Sequence, residues 1–100
     1  MTDITAPSPP AAGERYVLTP MSLFRWEPGQ EANVLLSPEG IVKLNQTASD
    51  IIARCDGRRT VADLVGELQQ RYPGDDERVA EGVYKFLEVF RAKGWIRRQA

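Results

Sequence analysis

Ser37-Pro38-Glu39-Gly40 stands between two short apolar runs, Ala32-Asn33-Val34-Leu35-Leu36 and Ile41-Val42-Lys43-Leu44. Proline second and glycine fourth suit a type I turn. Runs of this length on either side of such a turn make a β-hairpin, which commits the middle of the chain to a sheet. The register follows from the side chains. If Gly40 is a left-handed bulge residue, Leu36 lies across from Val42 and Val34 across from Leu44. One face is then Val34, Leu36, Val42 and Leu44, and the other Leu35, Ser37, Ile41 and Lys43. A two-residue loop without the bulge puts Lys43 beside Val34 and Leu36. The bulged register sorts apolar from polar better and is the expected one.

Upstream, Leu23-Phe24-Arg25-Trp26-Glu27 alternates in the manner of a half-buried strand and ends at Pro28-Gly29. Downstream the period changes to that of helices. Asn45 or Thr47 can cap a first helix with Ala48, Ile51 and Ile52 inward, stopping at Cys55-Asp56-Gly57. Thr60, with Asp63 three residues on, reads as a capping box for a second helix striped by Val61, Leu64, Val65 and Leu68. Tyr72-Pro73-Gly74 ends it. Asp75, Asp76 or Glu77 opens a third, striped by Val79, Val83, Phe86, Leu87 and Phe90 and stopped by Gly94. Trp95 and Ile96 then fold back as a short apolar tail. The expected fold is α+β: a three-stranded antiparallel sheet followed by three helices. Pro7, Pro9 and Pro10 lie among small and polar residues, so residues 1–15 read as a flexible tail and 16–100 as one domain.

The residues that are missing narrow the function. The chain has no histidine, which removes the commonest general base and metal ligand. Its single cysteine, Cys55, has no histidine partner and reads as a small buried hydrophobe. No nucleophile motif, phosphate-cradling loop or metal-ligand spacing is present, so no enzyme activity, metal or cofactor is expected. Net charge is −1, without the basic excess of a nucleic-acid binder. No apolar run approaches the ~18 residues of a membrane span, and the N-terminus lacks a secretory pattern. The expected location is the cytoplasm. Asp75-Asp76-Glu77 and the cations Arg91, Lys93, Arg97 and Arg98 complement the two ends of the third helix. Arg58 and Arg59 read as solvated loop charges.

Beyond its core stripe, the third helix also carries Ala80, Tyr84 and Val89. Homodimerisation, overlap of core faces or a peptide groove would each account for that apolar width.

The segments Leu35-Leu36-Ser37-Pro38-Glu39-Gly40-Ile41-Val42-Lys43-Leu44-Asn45-Gln46-Thr47-Ala48, Ile51-Ile52, Cys55-Asp56-Gly57 and Thr60-Val61-Ala62-Asp63-Leu64 follow one another in an order and spacing that resemble the PqqD family of pyrroloquinoline quinone biosynthesis. The resemblance covers about residues 16–96. It implies a winged helix-turn-helix-like fold and a peptide chaperone, a precursor-peptide recognition element. It implies that the precursor peptide PqqA adds as a strand beside Ile41, Val42, Lys43 and Leu44, against a third helix presenting Val79, Val83, Phe86 and Phe90. It implies presentation of that peptide to the radical SAM enzyme PqqE, which joins a Glu and a Tyr of the peptide and holds its own iron–sulfur clusters and S-adenosylmethionine. Two other readings keep a related fold: a recognition domain for a different modified peptide, and a DNA-binding winged helix. The second needs a basic reading helix, and the second and third helices both mix signs.

Overall fold

Two antiparallel three-stranded sheets flank the helices in the computed structural model, which describes residues 10–99. In chain order the elements are β1 (Arg15–Leu18), β2 (Leu23–Glu27), β3 (Ala32–Ser37), β4 (Gly40–Leu44), α1 (Gln46–Ala53), β5 (Asp56–Thr60), α2 (Val61–Arg71), α3 (Asp76–Ala92) and β6 (Ile96–Gln99). The expected sheet is β2-β3-β4, with β4 at an edge that pairs with no further strand among the described residues. The second sheet, β5-β1-β6, was not expected, and strands and helices interleave instead of following as blocks. Arg58 and Arg59 therefore lie in a strand, and Ile96 begins one. β5 and β6 are polar strands that exist because β1 pairs with each of them. Tyr16, Leu18 and Ile96 supply the inward face of this sheet.

The hairpin takes the two-residue loop and not the bulged register. Ser37 pairs with Gly40, Leu36 with Ile41, Leu35 with Val42, Val34 with Lys43 and Asn33 with Leu44. Gly40 does have a positive φ of 139°, but no extra residue is inserted. The reason lies in β3, where Val34, Leu35 and Leu36 are consecutive, so either face of the strand is apolar. The core takes Leu35, Val42 and Leu44 together with Phe24. Val34 faces the other way, between Arg25 and Lys43 in register, and is 1% exposed. The stems of those two long side chains are what can cover it. Leu23, Leu36 and Ile41 form a row on that same outer face.

The helix ends follow the expected capping chemistry. Asn45 accepts a hydrogen bond from the Ala48 N–H at 2.8 Å. Thr60 and Asp63 form the reciprocal capping box. Asp75 accepts from the Arg78 N–H at 3.1 Å. After α3 the N–H groups of Gly94 and Trp95 return to the carbonyls of Arg91 and Phe90, with Gly94 at φ 78°. This is a Schellman ending, and its apolar contact is the Trp95 ring on Phe90, 5.2 Å between centroids.

Residues 1–9 of the expected tail lie outside the described residues. The remainder is tied down. Arg15 is already in β1, and the first two N–H groups of α2, Val61 and Ala62, donate to the carbonyls of Glu14 and Ala12 at 2.8 and 2.9 Å. The Glu14 carboxylate also accepts from Arg98 of β6 at 2.8 Å, and that bond holds its pKa below the usual value. The folded part thus begins before Tyr16, because the N-terminus of α2 needs acceptors that its own helix cannot supply.

Asp50 of α1 is a buried polar junction. Its carboxylate accepts from the Tyr72 hydroxyl in a short hydrogen bond, from Arg71 Nε at 2.8 Å and from Gln46 Nε2 at 3.1 Å, tying α1 to the end of α2. Burial pushes its pKa up, but the bonds from Tyr72, Gln46 and Arg71 pull it down by more, to a net value below the ordinary one. A depressed folded pKa means stability that is present above the unfolded value of about 4 and lost as pH falls through the folded value. Asp50→Asn is expected to cost about 1–3 kcal/mol at pH 7. Urea titrations at pH 7 and pH 3 should show the gap between parent and variant narrowing in acid. An equal gap at both would show that the charge contributes nothing.

Candidate peptide groove

β4 is an edge strand of its sheet. The cleft at its start includes Ala92, Lys93 and Trp95, and the cleft past its end includes Val79 and Gly82. The closing pair of a two-residue loop is hydrogen-bonded, and the pairs then alternate. Gly40, Val42 and Leu44 therefore turn their main-chain groups toward β3. Ile41 and Lys43 turn theirs to the open edge. Their side chains go to the outer face, where Ile41 is 69% exposed, while Val42 and Leu44 point toward the helices.

The eight residues expected to form the site fall into three groups. Leu44, Val83 and Phe90 are buried in the core and support the groove from beneath. Val42, Val79 and Phe86 are half-buried, pack against that core and keep part of their surface open. Ile41 and Lys43 offer backbone, not side chain, to this side. Phe86 stands edge-on to Phe90 at 5.3 Å, so the wall and the support beneath it are one aromatic unit.

Two clefts mark the ends of this surface. One, of about 330 Å³, is lined by Ser37, Glu39, Gly40, Ile41 and Val42 of the hairpin and by Ala92, Lys93 and Trp95. The other, of about 310 Å³, lies beyond the end of β4 and is lined by Thr47, Leu68, Tyr72, Pro73, Asp75, Arg78, Val79, Gly82 and Val83. Sequence reasoning missed Thr47, Tyr72, Gly82 and Trp95 as site residues. Only Gly82 carried a local signal, as a glycine inside a helical pattern.

Several charged groups elsewhere are engaged in ion pairs or aromatic contacts. The polar cleft between β5 and α2 holds Arg59, paired with Glu67 at 2.7 Å and Asp56 at 2.6 Å, and Arg54 reaches Glu67 at 3.1 Å. Backbone N–H bonds from Arg59 and Arg58 lower the Asp56 pKa. Near the end of α3, Arg91 bonds the Tyr16 hydroxyl at 3.2 Å, and Lys93 stands over the Trp95 ring at 5.4 Å. Burial, with Asp56 nearby, pushes the Cys55 thiol up to about 12, so it has no thiolate at neutral pH to act as a nucleophile. Among the described residues no cluster of three or more His, Cys, Asp or Glu side chains could hold a metal ion, and no helix is long and apolar enough to cross a membrane.

Comparison with known proteins bears on this geometry. The family model described as coenzyme PQQ synthesis protein D (PqqD) matches residues 32–96. A PqqA binding protein of Azotobacter vinelandii is 48% identical over 73 residues, covering 73% of this chain and 78% of that protein. PqqA binding protein 1 of Pseudomonas putida is 49% identical over 73 residues, with 73% and 79% covered. The solution structure of the PqqD truncation of Methylobacterium extorquens PqqCD, described as a functional, stand-alone recognition element for ribosomally synthesized and modified peptides, superposes with a TM-score of 0.74. It is 24% identical and covers 89% of this chain and 95% of that one, which supports the fold.

Proposed function

The chain belongs to the PqqD family, and on that premise we propose that it is a peptide chaperone of pyrroloquinoline quinone biosynthesis that binds PqqA as a strand added to β4. The observation that carries this reading is the edge of β4, unpaired among the described residues, where Ile41 and Lys43 turn their main-chain groups outward, together with the half-buried apolar side chains Val42 of β4 and Val79 and Phe86 of α3. Strand addition takes affinity from main-chain hydrogen bonds and specificity from pockets for alternate side chains. The edge offers the first and the α3 side the second. The β3–β4 hairpin then plays the part of a wing beside α2 and α3, the winged helix-turn-helix likeness that the family resemblance implies. In this reading the protein turns over no substrate, works in the cytoplasm, and hands the bound peptide to the radical SAM enzyme PqqE.

Titration of ¹⁵N-labelled protein with synthetic PqqA tests it. Amide shifts are expected to cluster at residues 41–44 and along the α3 wall at 79, 82 and 86. Shifts confined to the β5–β1–β6 sheet, or none at all, would sink the reading.

A further inference from the structure

Gly82 lies in the middle of α3, where glycine weakens a helix relative to alanine. Nothing among the described residues asks for it. A Cβ built there would meet no heavy atom within 4 Å, and the backbone is ordinary helix. The space left by the missing side chain opens into the cleft of about 310 Å³ beyond the end of β4. That volume is at the small end of ligand pockets, about 300–1,000 Å³, and has room for one large side chain. Leu68, Val79 and Val83 are apolar parts of its lining, and the Tyr72 ring is another. The two charged residues in its lining are Asp75 and Arg78, and Asp75 already caps α3. The two are of opposite sign, so the lining favours neither an anionic nor a cationic occupant, and its larger part is apolar.

The cleft also lies near the end of β4. Thr47, in its lining, is three residues past the end of β4. A strand paired to β4 advances about 3.3 Å per residue, so a few residues beyond the last pair span the stretch from Leu44 to Thr47. Resting on the strand-addition reading above, we propose that the gap at Gly82 is a side-chain subsite, which takes one bulky apolar residue of the bound peptide, leucine-like or aromatic, where the peptide passes the end of β4.

α2 contains a natural control. Gly66 is also inside a helix and also has nothing within 4 Å of a built Cβ, but it lines the polar cleft between β5 and α2. Calorimetric titration with synthetic PqqA should compare the parent with Gly82→Ala, Gly82→Leu and Gly66→Ala. Both alanine variants are expected to melt about 4 °C higher, from helix propensity alone. Gly66→Ala should bind like the parent. Gly82→Ala should bind several-fold more weakly and Gly82→Leu at least tenfold more weakly, so stability and affinity move in opposite directions at one position only. An alanine scan of the peptide should find one apolar residue whose loss weakens the parent but no longer weakens Gly82→Leu. If the leucine variant does not fold, the same coupling is read with Gly82→Ala. Failure of the parent to bind PqqA would overturn the function proposed above and the subsite with it. A parent that binds, alongside folded Gly82 variants that bind equally well or couple to no peptide position, would overturn the subsite alone.

Discussion

Phe90→Ala is expected to cost about 3–5 kcal/mol of stability, a large share of the ~5–15 kcal/mol typical of a whole domain. The ring is 5% exposed and stands edge-on to both neighbours, Phe86 at 5.3 Å and Trp95 at 5.2 Å. Trp95 is also the residue that closes the Schellman ending of α3, and Ile96 after it begins β6. Removing the ring therefore empties a core site and undercuts the turn that delivers β6 to β1. At about 4–8 °C per kcal/mol for a domain of this size, the melting temperature should fall by roughly 12–40 °C. Calorimetry or urea unfolding reads this directly. An unchanged midpoint would show that the ring is not part of the core.

The hairpin, the three helices and their caps were legible in the sequence because each rests on local chemistry. Ser37-Pro38-Glu39-Gly40 makes its own turn, and Asn45, Thr60 and Asp75 satisfy their own helix ends. The second sheet was not legible. Asp56-Gly57-Arg58-Arg59-Thr60 and Ile96-Arg97-Arg98-Gln99 have no strand pattern of apolar residues, and what makes them strands is β1, some forty residues or more from the first and eighty from the second. Such pairings are tertiary facts that a local window cannot contain. The register failed for another reason. Sorting side chains by polarity assumes one wet face, but β3 is apolar on both: Leu35 enters the core, and Val34 is buried on the opposite side. Of the proposed site, the two elements that make it up, β4 and α3, were readable as elements. Which side of β4 each residue serves depended on that register, and the cleft at Gly82 needed the spatial meeting of α1, α2 and α3.

Proline at the open edge tests the binding mode itself. With Ser37 paired to Gly40, Ile41 and Lys43 both turn their N–H outward, so proline at either position removes no bond within the hairpin. What it removes is a donor to the added strand, and its ring occupies the space that strand needs. One main-chain bond contributes about 0.5–1.5 kcal/mol, and an acceptor left unpaired against the edge adds about 1–3 kcal/mol. Ile41→Pro and Lys43→Pro are each expected to weaken PqqA binding by roughly 10- to 100-fold or more. Ile41→Ala and Lys43→Ala keep the N–H and change only side chains on the outer face, so they should bind within a few-fold of the parent. Circular dichroism and melting temperature must show that the proline variants keep the fold. That is a reasonable demand, since edge strands tolerate proline where the N–H is free. If both proline variants fold and bind as tightly as the parent, no strand is added at β4, and the peptide docks on side chains alone.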